Sequence, residues 1–211
     1  MPLAPHRCQR CRFPLPGCLC PAVPRLDTRV EVVFLRHFSE RDRLTNTGHW
    51  AALALARSSV LEQGAPGERL DASGLAAPGT WLLYPSPHPP PADAPPPRRI
   101  VVPDGTWAQA RRIVHRVPAL FGLPRLALPP RSSAAGIRRP PRRGVGVGGM
   151  STLEAVAAAL RAVGEAAAAE RLDLLHAEGV ALVTRLRGVA EAHASAGSPR
   201  GGHRAAGPAA R

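Results

Sequence analysis

Lysine is absent from this chain: every one of its 28 basic residues is arginine. Proline, glycine and alanine are used heavily alongside, a pattern that a bias toward GC-rich codons produces as readily as chemistry does, so no single arginine carries an argument by its type. Exchanging lysine for arginine creates no charge, however, and 28 basic against 15 acidic residues leave a net +13. That excess points to a polyanionic partner, RNA or DNA before membrane, because no lipid-facing amphipathic helix is evident. The alternative is a basic tail and loop on an ordinary enzyme. Also missing is any apolar run approaching the ~18 residues that a membrane span needs. The opening "MPLAPHRCQRCRFPLPG" lacks the continuous apolar stretch of a secretory signal. The expected location is therefore cytoplasmic, a reducing compartment in which cysteines are metal ligands or free thiols rather than disulfides. Beyond Cys20 there is no cysteine at all.

What is present suits one folded α/β domain with appendages, since 211 residues suffice for one sizeable core and not comfortably for two. Residues 1–25 are rich in cysteine, proline and arginine and read as a small knob. "VEVVFL" (30–35) is an apolar, β-branched run of the kind a buried parallel strand shows. "TWLLYP" (80–85), "IVV" (100–102) and "RLAL" (125–128) are three further strand candidates. Helices are predicted over 49–60, behind Asn46 or Thr47 as N-cap, and over 108–115, with Trp107, Ala110 and Val114 on one face. Two more follow, over 151–163 and 169–194, the last with a bend near Gly179. Strands alternating with helices predict a mostly parallel sheet covered on both faces. The proline-rich stretch 86–99 reads as a solvated insertion, and 195–211 as a disordered basic tail.

The cysteines carry the first chemistry. Cys8-x2-Cys11 and Cys18-x-Cys20 supply four thiolates, enough for one tetrahedral Zn2+ that folds a loop with no core of its own. A site closed by four thiolates leaves no position for substrate, so its role would be structural. After the first strand, His37 and Glu40 form an incomplete metal pair, and Asn46-Thr47-Gly48 at a helix start offers backbone N–H groups to a polar ligand. "PDGTW" (103–107) follows a strand end, where open α/β sheets bind their ligands. The local alternative makes Asp104 or Thr106 a helix cap and Trp107 a core residue. "STLEA" (151–155) has the spacing of a capping box, and its helix N-terminus also suits a carboxylate. The arginines ahead of it, Arg131, Arg138, Arg139, Arg142 and Arg143, form an approach for an anion or for RNA phosphates.

In this order, Cys8, Cys11, Cys18 and Cys20, His37-x2-Glu40, Asn46-Thr47-Gly48, Leu83-Tyr84-Pro85, Asp104-Gly105-Thr106-Trp107, Arg138 and Ser151-Thr152-Leu153-Glu154-Ala155 resemble the DTW-domain family of tRNA-uridine aminocarboxypropyltransferases. The resemblance spans about residues 7 to 165. It implies a SPOUT-like α/β catalytic domain over 26–194 with a C-terminal trefoil knot. It also implies S-adenosylmethionine as donor, tRNA as partner, and acp3U with methylthioadenosine as products. On this reading Asp104, Thr106 and Trp107 are catalytic, with Asp104 as the base for uridine N3. Tyr84, Asp104, Trp107, Arg138, Ser151, Thr152 and Glu154 bind the donor; His37, Asn46, Thr47, Arg111 and Arg139 bind the tRNA; and the four cysteines hold structural zinc. Pro103 and Gly136 depart from the family pattern, where an aliphatic and an aromatic residue are usual. The rival readings are a SPOUT-type methyltransferase and a zinc-bearing RNA-binding protein without catalysis.

Overall fold

The structure, a computed structural model, describes residues 6–86, 90–126, 128 and 149–196, with side chains to residue 188. Four strands, β1 (Glu31–His37), β2 (Ser58–Gln63), β3 (Thr80–Leu82) and β4 (Arg99–Asp104), form one parallel sheet in the order β2-β1-β4-β3. The two central strands carry the longest buried runs, with apolar residues filling both of their faces. Alternation along them sorts the core. Val32, Phe34, Ile100 and Val102 face one side, and Val33, Leu35 and Val101 face the other.

Over the first face lie α1 (Thr47–Ala54), α3 (Thr152–Ala162) and α4 (Ala166–Ala196); over the second lies α2 (Trp107–Arg116). Leu153, Val156 and Leu160 of α3 and Leu172, Leu175 and Val183 of α4 join the first core, Ile113 and Val114 of α2 the second. Gly164, with φ +83°, ends α3 in a left-handed turn in which Glu165 N–H donates to Leu160 C=O, the geometry that lets α4 fold back at once. Among the described residues no helix is long and apolar enough to cross a membrane.

Four departures from the sequence reading have physical causes. The helix expected over 49–60 stops at Ala54, and β2 begins at Ser58. Ser58 to Gln63 has no apolar run because an edge strand is only half-buried, and its pairing with Val32–His37 overrides the helix propensity just before it. Of the strand candidate 125–128, the described residues show a single parallel bridge, Leu82 to Arg125, on the outer side of β3. Gly179 lies within one continuous helix and serves close packing: a Cβ there would stand 2.3 Å from the Trp50 ring. Trp107 is 45% exposed, so the buried face of α2 is Ala110, Ile113 and Val114 without it.

Pro103 is accommodated without loss. Odd-numbered β4 residues turn their N–H and C=O toward β3, as Arg99 N–H to Gly79 and Leu83 N–H to Val101 C=O show, and the β3 pairing ends at Val101. The missing N–H of Pro103 therefore falls where no ladder partner exists. The knob is not detached from the core: Phe13 and Leu19 are buried in the first core, and Phe13 packs on Trp50 at 5.7 Å. Residues 129–148, through which the expected knot would pass, lie outside the described residues, as do 87–89 of the proline-rich insertion and 197–211 of the tail.

Candidate active site

The chain leaves β1 toward α1 on one face and leaves β4 toward α2 on the other, although β1 and β4 are neighbours. Their C-terminal ends therefore open into a crevice, the position where parallel sheets bind ligands. Asp104 stands at that point, opposite Arg36 of β1. The turn into α2 needs Gly105, whose φ is +156° and whose absent Cβ would meet Gln109 Oε1 at 2.8 Å. A capping box closes the turn: Gln109 N–H donates to Thr106 Oγ1 and Thr106 N–H to Gln109 Oε1. The capping reading of Thr106 is thus correct, and the same residue also lines the crevice.

Asp104 is 2% exposed. Its Oδ2 accepts from Asn46 Nδ2 at 2.8 Å and its Oδ1 from Thr152 Oγ1 at 2.7 Å. Gly48 admits the carboxylate against the first turn of α1, since a Cβ there would stand 2.5 Å from it. Two distant segments, Asn46–Gly48 and Thr152, thus converge on the carboxylate of a third. Asn46 is held in turn because its Oδ1 caps α1, accepting from His49 N–H. Trp50 Nε1 donates to Leu44 C=O at 3.0 Å and fixes the loop that carries Asn46. Thr47 Oγ1 accepts from Leu153 N–H at 3.5 Å, which ties α1 to α3.

Around Asp104 lies a cavity of about 280 Å³. Its walls are Glu40, Arg43, Thr45, Asn46 and Thr47 from the β1–α1 loop, Asp104, Gly105 and Thr106 from the β4–α2 corner, and Thr152 from α3. Of the residues expected at a site, the structure brings together Asn46, Thr47, Asp104, Thr106 and Thr152. Tyr84 and Trp107 form a second group beside this corner, edge to face at 6.4 Å, with the Arg125 guanidinium 5.6 Å from the Tyr84 ring centre. Ser151 and Glu154 do not line the cavity. They are buried in the capping box of α3, where Ser151 N–H and Oγ donate to Glu154 Oε2, and Ser151 Oγ contacts His176 Nε2 at 3.3 Å. The N–H groups of Leu153 and Glu154 are likewise occupied, by Thr47 Oγ1 and Ser151 Oγ.

His37 turns away from the cavity, its Nδ1 meeting Ser39 Oγ at 2.9 Å and Gln109 Nε2 at 3.2 Å, so it joins the end of β1 to the cap of α2. Burial, then the nearby Arg112 charge, pushes its pKa below the usual histidine value. Arg111 is exposed on α2, and Arg138, Arg139 and Gly136 lie outside the described residues. The sequence reading gave no role to Arg43, Thr45, Gln109 or His176. The first two had no signal beyond the NTG motif they precede, and His176 looked like any position on a long helix.

The four cysteine Sγ atoms lie within 4.8 Å of one another, with Cys8 and Cys20 3.7 Å apart and Cys11 and Cys18 3.5 Å apart. Four thiolates around Zn2+ at ~2.3 Å stand ~3.8 Å apart, so donor type and spacing both fit. Cys8 is pulled down to about 6, first by the Cys11 backbone N–H, while burial raises Cys18 and Cys20. Arg12 holds a left-handed φ of 71° to close this loop, and His49 Nε2 contacts Arg10 C=O at 2.7 Å, fastening the loop to α1.

Comparison with known proteins gives a family match and one named relative. The family model described as the DTW domain matches residues 5–180. Over 135 residues, 58% of this chain and 54% of the other, the chain is 33% identical to a Drosophila melanogaster protein named tRNA-uridine aminocarboxypropyltransferase 2. The match thus spans about half the length of that relative. No solved structure matches the chain.

Proposed function

Because the chain belongs to the DTW-domain family, we propose that it transfers the 3-amino-3-carboxypropyl group of S-adenosylmethionine to N3 of a uridine in tRNA. The observation that carries this reading is Asp104, a carboxylate buried at the C-terminal crevice of a parallel sheet and held by Asn46 and Thr152 in the wall of a polar cavity. The name of the Drosophila relative supports the same activity.

The chemistry needs a base and a fixed geometry. Uridine N3 becomes nucleophilic as its proton leaves, and Asp104 takes that proton. The bonds from Asn46 and Thr152 fix the orientation of the carboxylate for this proton transfer. The N3 lone pair then forms a bond to the γ-carbon of the aminocarboxypropyl group while the bond from that carbon to sulfur breaks. The electron pair goes to sulfur, which leaves as the neutral thioether methylthioadenosine. Transfer of this group rather than the methyl follows from which carbon is held in line with N3. Thr152, Thr106 and Gly105 shape the approach to Asp104, and Arg138 binds the donor.

Tyr84 and Trp107 border the adenine or uracil ring, an aromatic pair beside the β4–α2 corner, Trp107 exposed and Tyr84 half-buried, being suited to stack a base. Ser151 and Glu154 act through α3: their capping box sets the helix start from which Thr152 reaches Asp104. His37, through Gln109, steadies the α2 corner. The net charge of +13, with Arg111 exposed and Arg139 in the basic segment, supplies general attraction for tRNA phosphates. The four cysteines hold Zn2+ as a structural ion that locks the Cys8–Cys20 loop against Phe13 and Trp50. A C-terminal knot through the 129–148 segment belongs to the same reading. The test is product identity: incubation with unmodified tRNA and S-adenosylmethionine, then nucleoside mass analysis, yields acp3U. A methylated nucleoside or an unchanged tRNA would overturn the proposal.

A further inference from the structure

Two carboxylates line the cavity, and they are not equivalent. Asp104 accepts hydrogen bonds from Asn46 and Thr152. Glu40 is only 8% exposed, yet its Oε1 is fully buried and accepts no hydrogen bond among the described residues. Arg43 Nη1 stands 3.4 Å from that oxygen, close enough for charge attraction and outside hydrogen-bonded contact. A buried carboxylate oxygen in this state is costly unless a donor arrives, and Glu40 is one of the residues that line the cavity.

We propose that Glu40 binds the α-ammonium of the donor's aminocarboxypropyl group, with Arg43 facing the carboxylate on the same carbon. This rests on the donor reading above. An α-amino acid end carries one positive and one negative group on a single carbon, and Glu40 and Arg43 present the complementary pair from one turn of chain, three residues apart. The ammonium has three donors and no acceptor, which suits an oxygen lacking a hydrogen bond; the uridine imide, neutral and flanked by two carbonyls, matches a charged pair less well. The single 3-10 turn Phe38–Glu40 directly after β1 places Glu40 over the crevice, so the residue follows from the strand end as Asp104 does. Anchoring the amino-acid end fixes the γ-carbon relative to Asp104, which makes Glu40 a determinant of which carbon is transferred.

Calorimetric binding of three ligands tests this: S-adenosylmethionine, the analogue bearing a 2-oxo group in place of the α-amino group, and methylthioadenosine, which lacks the whole amino-acid end. The parent protein is expected to prefer S-adenosylmethionine to the oxo analogue by about tenfold or more, the range of a charge-assisted hydrogen bond. Glu40→Gln should lose that preference while keeping its affinity for methylthioadenosine, and Glu40→Asp should show a reduced preference. A parent that binds both amino and oxo forms equally overturns the assignment. So does a preference left unchanged in either variant, or a Glu40→Gln protein that loses methylthioadenosine by the same factor. If Glu40→Gln does not melt cooperatively, the parent ratio and Glu40→Asp decide. A parent that binds neither S-adenosylmethionine nor methylthioadenosine instead removes the donor reading, and this inference with it.

Discussion

Asp104 unites the site because each neighbour constrains it differently: Asn46 and Thr152 donate to it, and Gly48 makes room for it. On its proposed role as base, Asp104→Asn should lower turnover by about 10²- to 10³-fold with the fold and donor binding retained. Turnover at the parent rate would end the base assignment. Trp107 separates site from core at the same scale. As a core residue its loss would cost ~3–5 kcal/mol; at 45% exposure, Trp107→Ala should change stability by no more than ~1 kcal/mol and raise the KM for tRNA or donor. Thermal melts set beside steady-state kinetics check both halves. The sequence marked Asp104, Asn46, Thr47 and Thr152 because motifs at strand ends and helix starts are locally visible. It did not show that Ser151 and Glu154 turn inward toward His176 rather than into the cavity wall, because a capping box that turns inward has the same spacing as one facing a ligand.

Among the elements, legibility followed burial. β1 and β4 stood out as apolar runs because both of their faces are covered, whereas β2 stayed hidden because an edge strand keeps polar residues and takes its conformation from β1. The Cys8–Cys20 loop is the element whose removal should reach furthest. It holds Phe13 against Trp50, and Trp50 holds the Leu44 carbonyl two residues before Asn46. Metal analysis should find about one zinc per chain. Chelation should lower Tm and shift the tryptophan emission to the red, with loss of activity. An unchanged melt after chelation would remove the structural zinc. Histidines at two element junctions add a pH response. Burial depresses the pKa of both His37 and His49 in the folded chain, so the unfolded chain binds more protons below its own histidine value of ~6.5. Their stabilising contribution is present above that pH and is lost as pH falls toward the depressed folded values. Tm should therefore drop between about pH 7 and pH 5, and His49→Gln should flatten the slope.

For the molecule as a whole, the charge of +13 predicts tRNA affinity that falls steeply with salt, on the order of tenfold or more per doubling of salt if several phosphates are contacted. The parallel sheet of order β2-β1-β4-β3 explains why Asp104 sits where it does: its switch point and the convergence on Asp104 are the same place. The central claim is that this crevice directs the aminocarboxypropyl carbon, and not the methyl carbon, to a uridine. S-adenosylmethionine labelled either in the carboxyl carbon or in the methyl carbon, incubated with the protein and unmodified tRNA, tests it most directly. The account predicts that carboxyl label enters tRNA as acp3U and that methyl label leaves as methylthioadenosine. Methyl label in the tRNA, or no label from either donor, would contradict it.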